Sequence, residues 1–313
     1  MQDASERGTD SMTSIRQTQS GRGVFVGRVT GNEPLCREHW RFEAEFDDFP
    51  PAMPGQFVQI LCADPLEENR AGGAFLRRPF SIGGLRRSGK RASLSITHRV
   101  LGIGTRWLSQ LTAGDGISFL GPLGRPFSID PQRPAALLVG GGVGLPPLIW
   151  LAETLAQAGK QTIAFAGART ADLLPLTRLP DARISGAEPA MAFREFADHQ
   201  IPTVVSTDDG SLGAWGLIVE HFERYLNSKS DSLSESAVVY TCGPERMLAA
   251  VAKTCEKRSI PCQVCMERMM GCGMGTCQSC VIRTHDQDDP EGWRYSLCCT
   301  DGPVFDGRSI VWS

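Results

Sequence analysis

The 313-residue sequence lacks a long apolar run, an excess of basic residues and an obvious export segment. No stretch approaches the roughly 20 consecutive apolar residues that cross a bilayer, which argues against a membrane-spanning helix. The net charge of −3 and the pI near 6.0 argue against a nucleic-acid-binding surface. Residues 1–23 are polar and have no apolar core, so we expect a disordered tail rather than a secretory signal.

Without an export signal, the eleven cysteines are expected in a reducing compartment, the cytoplasm. Clustered cysteines there more often bind metal or carry out redox chemistry than form structural disulfides. The 41 % of apolar residues and the chain length are enough for two or three globular domains.

Long helical periodicity is also missing between residues 24 and 120. Short apolar segments such as VFVGRVT, WRFEAEF and SLSITHR are separated by Gly, Pro and charged clusters. This pattern predicts an antiparallel β-barrel.

Near Pro131 the pattern changes to apolar strands that alternate with amphipathic helices, as in AVVYTCG followed by PERMLAAVAKTCEK. Such alternation predicts a parallel sheet with crossover helices. After about residue 260 the chain is rich in Cys and Gly, and this segment is too small to build a large core without a bound metal cluster. We therefore predict a tail (1–23), a flavin-binding barrel (24–130), an α/β nucleotide-binding domain (131–258) and a small cluster domain (259–313).

The sequence GCGMGTCQSC holds Cys272, Cys277 and Cys280. This Cys-x4-Cys-x2-Cys spacing is typical of plant-type [2Fe–2S] sites when a fourth cysteine follows, here Cys298 or Cys299. The three glycines of the loop allow positive φ angles and a close backbone approach to a small inorganic core. A zinc site usually has two Cys-x2-Cys pairs, and Cys262-x2-Cys265 and Cys277-x2-Cys280 both have this spacing, so zinc is an alternative. A redox dithiol would leave Cys272 unexplained.

Two motifs in the barrel segment favour flavin binding. In LRRPFSI, Arg78 offers a planar donor group for a diphosphate, and Ser81 can hydrogen-bond a flavin ring edge beside the Phe80 backbone. In LGIGT, Gly104 and Thr105 open a helix-like stretch that suits a phosphate group. The alternative for LRRPFSI is an ordinary barrel strand with one arginine, and the alternative for LGIGT is an ordinary turn capped by Thr105.

Two glycine turns favour nucleotide binding in the α/β segment. GGGVGLPP, 140–147, lies between a strand and a helix, but a proline stands where the Gly-x-Gly-x-x-Gly fingerprint has its third glycine. TCGPERM places Cys242 and Gly243 at the carboxyl end of a strand, where open parallel sheets bind ligands. The alternative for the first turn is a tight turn without a ligand, and the alternative for Cys242 is a buried structural cysteine. The sequence does not distinguish NAD from NADP.

The motifs Arg-Pro-x-Ser, Gly-x-Gly-Thr, Gly-Gly-Gly-x-Gly-x-x-Pro and Cys-Gly-Pro-x-x-Met, in this order, resemble the ferredoxin–NADP reductase superfamily. Within it, ERMMGCGMGTCQSC followed by CTDGPVF resembles the electron transfer subunits of NAD-dependent dihydroorotate dehydrogenases. The resemblance covers residues 24–313, and the cysteine segment is its specific part.

The resemblance implies three cofactor sites and no acid–base catalytic residue. FAD would be bound by Arg78, Pro79, Phe80, Ser81, Thr97, His98, Arg99, Gly104 and Thr105. NAD would be bound by Gly140, Gly141, Gly142, Gly144, Cys242, Gly243 and Pro244. The [2Fe–2S] cluster would be bound by Cys272, Cys277, Cys280 and Cys299, because the family's fourth ligand stands two residues before Asp-Gly-Pro-Val-Phe.

The resemblance also implies a partner and a reaction. The chain would take electrons from the FMN of a dihydroorotate dehydrogenase catalytic subunit, in a heterotetramer of two of each, and pass them through the cluster and FAD to NAD⁺ in the synthesis of UMP. An NAD(P)H-linked flavin and iron–sulfur subunit of a hydrogenase, sulfide or ferredoxin oxidoreductase is the alternative. A zinc-stabilised binding module, which needs no flavin, is a third hypothesis from a different class.

Overall fold

The computed structural model describes residues 21–65, 74–229 and 233–312. The described residues form two seven-stranded sheets and one two-stranded hairpin. Most of the predicted tail lies outside the described residues. None of the helices within the described ranges combines the length and apolar character needed to cross a membrane.

The first sheet is antiparallel and barrel-like, as predicted. Its strands and one helix are β1 (Gly23–Cys36), β2 (His39–Asp47), β3 (Phe57–Leu61), β4 (Arg78–Ser81), β5 (Gly84–Ser88), β6 (Arg91–Arg99), α1 (Ile103–Ser109) and β7 (Gly116–Leu123). The strand order is β4-β3-β7-β1-β2-β6-β5, and β4 also lies against β6. Alternate residues of β6 are buried, among them Leu94, Ile96 and His98, which is the period-2 pattern of a strand with one face in the core.

The second sheet is parallel except at one edge, which confirms the predicted α/β fold. It contains β8 (Ala135–Gly141), α2 (Leu145–Gln157), β9 (Gln161–Ala168), α3 (Arg194–Ala197), β10 (Thr203–Thr207), β11 (Ala214–Trp215), α4 (Ile218–Asn227), α5 (Leu233–Ser236), β12 (Ala237–Cys242), α6 (Glu245–Lys257) and β13 (Cys262–Cys265). The strand order is β11-β10-β9-β8-β12-β13-β16, in which β16 is the C-terminal strand Val304–Asp306. The helical pattern that starts at residue 213 becomes a helix only at Ile218, because Ala214 and Trp215 pair with β10 instead.

The cysteine-rich segment completes this second sheet. It forms the hairpin of β14 (Val281–His285) and β15 (Trp293–Leu297) and then β16 (Val304–Asp306), which pairs antiparallel with β13. The strand expected from SIVWS is wrong: in the described part of that stretch, Ile310 makes one isolated bridge to Thr284. Since β13 and β16 share one sheet with β12, the proposed boundary at residue 259 divides the chain within a sheet, and it stays a prediction.

The barrel and the C-terminal segment are joined by a short backbone contact. The Arg125 amide donates to the Gly302 carbonyl at 2.6 Å, and Arg125 bridges Pro303 in a parallel manner. Gly124 has a φ of +78°, and a side chain there would strike Pro303. Glycine is therefore required at this crossing.

His98 gives the barrel a pH-dependent stability. Its ring is 1 % exposed, and the rings of Phe42 and Phe80 lie 6.0 and 6.1 Å away. Burial lowers the pKa of His98 from 6.5 to about 4. Because the unfolded chain takes up the proton first as the pH falls, the folded state loses stability between those two values.

We therefore expect urea titrations at pH 7.5 and pH 5 to separate wild type from His98→Leu. Wild type should lose about 2 kcal/mol more of its free energy of unfolding than the variant over this interval. His285→Leu, at an exposed ring on β14, is the control and should follow wild type. Equal losses in wild type and His98→Leu would contradict the assignment.

Candidate functional site

Four cysteine thiols lie close enough to shift one another's pKa. Cys272 acts on the pKa of Cys277, and Cys280 acts on the pKa of Cys299. The charge of Cys272 also acts on Cys299, which joins the two pairs. The structure thus brings together the four residues that the sequence predicts as cluster ligands.

Backbone amides of the loop point at these sulfur atoms. The amides of Met274 and Cys277 donate to Cys272 Sγ at 3.3 and 3.4 Å, and the Gly275 backbone lowers the pKa of Cys299. Gly273 and Gly275 have φ angles of +74° and +88°, which explains why the loop needs glycine to turn its amides inward. Amide donors of this kind stabilise negative charge on thiolate and sulfide sulfur.

Cys298 lies beside this group and takes no part in it. Its amide donates to the Cys280 carbonyl at 3.0 Å, but among the described residues its thiol forms no hydrogen bond to Cys272, Cys277 or Cys280. Burial raises the pKa of its thiol to about 12, while the positive charge of Arg268 lowers it. The geometry therefore favours Cys299 as the fourth ligand, which stays a prediction until it is tested.

The thiols of the group differ in acidity. Hydrogen bonds from Ser279 and then from Cys272 lower the pKa of Cys277 to about 6. Burial, followed by the bond to Cys280, raises the pKa of Cys299 to about 12. Thiolates are the ligands of iron, so binding of a cluster must release the proton of Cys299.

The donor set of four thiols is chemically suited to a [2Fe–2S] cluster, whose irons are held by cysteine thiolates. Over the described ranges, no three Cys, His, Asp or Glu side chains surround one point closely enough to hold one metal ion. A mononuclear zinc site needs three or four ligands around one centre. A [2Fe–2S] cluster shares four thiolates between two irons.

The predicted flavin strand β4 is half-buried along its whole length. Arg78 donates only to nearby carbonyls, such as Leu76 O at 2.9 Å, and in the described part of the chain it pairs with no carboxylate. Gly83, just after β4, lies near Ser95 and Pro146. The end of β4 and strand β6 therefore lie next to the glycine turn of the second sheet.

Two other predicted flavin residues have polar partners within the protein. Arg99 pairs with Glu38 at 2.7 Å, and the Thr105 hydroxyl accepts from the Leu101 and Gly102 amides at 2.9 and 3.0 Å. His98 faces the barrel interior, on the opposite side of β6 from Thr97 and Arg99. Gly104 is buried against Cys62. Their roles in FAD binding stay predictions.

The two predicted nucleotide turns pack against each other. A side chain at Gly144 would strike the Cys242 carbonyl, and one at Gly141 would lie 3.1 Å from Pro244. Gly140 is closed off by Leu145. Gly142 differs: it has a φ of +52°, and a side chain there would meet nothing within 4 Å. Both turns lie at the carboxyl edge of the sheet, where β8 and β12 pair through Gly140 and Cys242.

A cavity of about 350 Å³ opens beside the second turn. It is lined by Gly243, Pro244, Glu245, Leu248 and residues 266–269. The cavity thus borders both the predicted nucleotide residues and the segment that enters the cysteine loop. Cys242 is 8 % exposed, and its bond to Cys265, with burial, raises the pKa of its thiol well above the ordinary value.

Sequence reasoning missed two residues, one on β3 and one at the entry to β4. Arg77, next to the predicted Arg78, donates to the carbonyls of Gln59 and Ser118 and so ties three strands together. Gln59 is fully buried, and within the described part of the chain neither its amide nitrogen nor its amide oxygen has a partner. An unpaired buried amide costs about 1–3 kcal/mol. No motif in the sequence marks either residue.

Comparison with known proteins gives one consistent result. The family described as the iron–sulfur cluster binding domain of dihydroorotate dehydrogenase B matches residues 267–311. The chain is 32 % identical to the dihydroorotate dehydrogenase B (NAD(+)) electron transfer subunit of Desulforamulus reducens, over 92 % of this chain and 98 % of that protein. It is 36 % identical to the subunit of the same name from Bacillus caldolyticus, over 83 % and 87 %.

Solved structures share the fold. A chain of an NADH-dependent reduced ferredoxin–NADP oxidoreductase matches with a TM-score of 0.71 and 25 % identity, over 91 % of this chain and 90 % of that chain. The ferredoxin reductase of carbazole 1,9a-dioxygenase matches with a TM-score of 0.58 and 20 % identity, over 77 % and 67 %.

The cysteine geometry predicts that Cys299→Ser and Cys298→Ser behave differently. Cys299→Ser should lose most of its iron and sulfide and the visible absorption of the cluster, because a hydroxyl is a poor substitute for a thiolate. Cys298→Ser, at the adjacent buried thiol, should keep them. Iron and sulfide analysis of anaerobically purified protein measures this, and a reversed order would assign the fourth ligand to Cys298.

The packed glycine turns predict a second pair of variants. Gly144→Ala should weaken binding of the nicotinamide nucleotide by at least about tenfold, because it forces the two turns apart. Gly142→Ala, at a turn position with open space, should have a smaller effect. Fluorescence titration with NADH measures the dissociation constants. Equal effects would mean that the contact with Cys242 does not shape the site.

Proposed function

The chain belongs to the family of electron transfer subunits of dihydroorotate dehydrogenase B (NAD(+)), and we propose that it links an FMN-containing catalytic subunit to NAD⁺. The electrons that dihydroorotate gives up on the partner reach this chain at the cysteine loop and leave it at the nucleotide turns. This is the redox step of pyrimidine (UMP) synthesis. The chain is an oxidoreductase subunit with no acid–base residue of its own for the oxidation of dihydroorotate.

One observation carries the proposal: four cysteines with inward amides lie next to the barrel strand that neighbours the flavin strand. Gly273 of the loop contacts Gln59 on β3, and Gln59 pairs with Pro79 on β4. The loop and the candidate flavin residues are therefore separated by a single strand. Such proximity is what electron exchange between the two sites requires.

The residues of this chain have separate roles. When they are bound, a [2Fe–2S] cluster transfers single electrons, FAD transfers one or two, and NAD⁺ accepts two. Cys272, Cys277, Cys280 and Cys299 hold the cluster. Arg78 neutralises diphosphate charge, and Ser81 orients the flavin ring from β4.

The nucleotide side depends on backbone rather than on side chains. The amino end of α2 follows the glycine turn 140–144, so the helix dipole and the amides of the turn suit a diphosphate. Pro146 and Pro147 have no amide hydrogen to donate. The domain limits of 24–130 for flavin, 131–258 for nucleotide and 259–313 for the cluster follow from this assignment.

The partner is the catalytic subunit that the family name implies, in an assembly of two copies of each chain. It meets the chain near the cysteine loop, where Met269 and Met274 are 89 % and 52 % exposed. Exposed methionine side chains adapt to an apolar partner surface. A cytoplasmic location is consistent with eleven free thiols and no disulfide among them.

The alternative is a subunit that serves another redox partner. The likeness to the ferredoxin–NADP oxidoreductase chain over nine-tenths of both chains favours it as the second candidate. The cofactors would be the same in both cases, and only the source of electrons would differ.

We expect the chain, co-expressed with the dihydroorotate dehydrogenase of its source and purified anaerobically, to contain two irons, two sulfides and one FAD. The complex should reduce NAD⁺ with dihydroorotate as the electron donor. NADH should bleach the visible absorption of the isolated chain. Visible spectra with iron, sulfide, zinc and flavin analysis measure the cofactor content and the bleaching, and absorbance at 340 nm measures the reduction of NAD⁺. Zinc without flavin would refute the proposal, and bleaching by NADH without turnover of dihydroorotate would favour the alternative.

A further inference from the structure

Gln59 has a buried polar side chain, and it is not among the residues assigned to any cofactor. It is 0 % exposed, and both polar atoms of its amide lack a partner among the described residues. Its neighbours Val58 and Ile60 belong to the barrel core, whereas Phe57 belongs to the core that contains Cys280 and Cys299. Because side chains alternate along a strand, Gln59 shares the outer face of β3 with Phe57.

The amide of Gln59 lies at the backbone next to a cluster ligand. A side chain at Gly273 would lie 2.8 Å from Gln59 Cγ and 2.9 Å from Gln59 Nε2. Gly273 directly follows Cys272, and its φ of +74° turns the loop towards β3. An unsatisfied buried donor at this place calls for a partner with lone pairs.

We propose that the Gln59 amide donates a hydrogen bond to a sulfur atom of the cluster held by Cys272 and thereby raises the reduction potential of that cluster. The inference rests on the proposed function and adds a residue from outside the cysteine segment to it. Reduction adds a negative charge to the cluster, so a donor aimed at its sulfur stabilises the reduced form more than the oxidised form.

The position of Gln59 gives this bond a function. Its backbone pairs with Pro79 on the flavin strand, and its side chain faces the cysteine loop. Gln59 thus lies between the cysteine loop and the candidate flavin strand. Its hydrogen bond favours the state in which the electron is on the cluster rather than on the flavin. The bond would set the driving force of the transfer without altering either ligand set.

Gln59→Met tests the inference because methionine has a similar length and no amide donor. We expect the equilibrium constant for one-electron reduction of the cluster to fall about tenfold, which corresponds to a potential lower by about 59 mV. An anaerobic redox titration, with the cluster followed by electron paramagnetic resonance and the flavin by absorbance, measures both potentials. The flavin potential should stay unchanged.

Gln263→Met is the matched control. Gln263 is also a strand residue, but its amide donates to Ser128 O at 2.7 Å, away from the cysteine loop. This variant should keep both potentials. Gln59→Asn retains the amide at a shorter reach, and it should shift the cluster potential in the same direction by a smaller amount.

The outcomes separate the inference from the function on which it rests. Wild-type protein without a cluster signal would overturn the proposed function itself. Wild type with a cluster whose potential is unchanged in Gln59→Met and Gln59→Asn would overturn only the inference. A shift of the flavin potential alone would also overturn it, because Gln59 would then donate to the flavin.

Discussion

Backbone contact between the barrel and the C-terminal segment holds the candidate cofactor sites in register. The Arg125 amide bonds to Gly302, and Gly124 leaves space for Pro303 where any side chain would collide. On the other side, β16 pairs with β13 at the edge of the parallel sheet. The cysteine segment is therefore fixed to both sheets. A local change at this crossing would move the cysteine loop relative to the flavin strand, and electron exchange depends steeply on that separation.

The three candidate sites follow one line through the molecule. The cysteine loop touches β3, β3 pairs with β4, and the residue after β4 approaches Pro146 at the start of α2. Each step is a contact between neighbouring elements, so the order cluster, flavin and nucleotide is a consequence of strand order. A cavity beside Pro244 also borders residues 266–269, which places the nucleotide turn close to the entry of the cysteine loop. The chain needs no acid–base machinery for this task, since its residues only hold and tune carriers of electrons.

Much of this arrangement could be predicted from local patterns. Alternating short strands predicted the barrel, strand–helix alternation predicted the parallel sheet, and the spacing of Cys272, Cys277 and Cys280 predicted a cluster loop. The errors have physical reasons. Ala214 and Trp215 were expected in a helix, but they pair with β10 at the sheet edge, where tertiary pairing outweighs helical propensity. The stretch SIVWS has the composition of a strand, yet its described part finds no neighbouring strand to pair with, apart from one bridge at Ile310.

By itself, the sequence determined which residue types carry the chemistry, because cysteine spacing and glycine turns are local and need no knowledge of the rest of the chain. The cysteine spacing left Cys298 and Cys299 open as the fourth ligand, and the family motif favoured Cys299; the tertiary structure adds that Cys280 acts on the thiol of Cys299, while the Cys280 carbonyl accepts from the Cys298 amide. It also separated Gly142, which is open, from Gly144, which is packed against Cys242. Gln59 was hidden for the same reason: it lies more than two hundred residues before Gly273 in the sequence. A side chain acquires such a partner only when distant strands and loops fold against one another, and no local pattern records that contact.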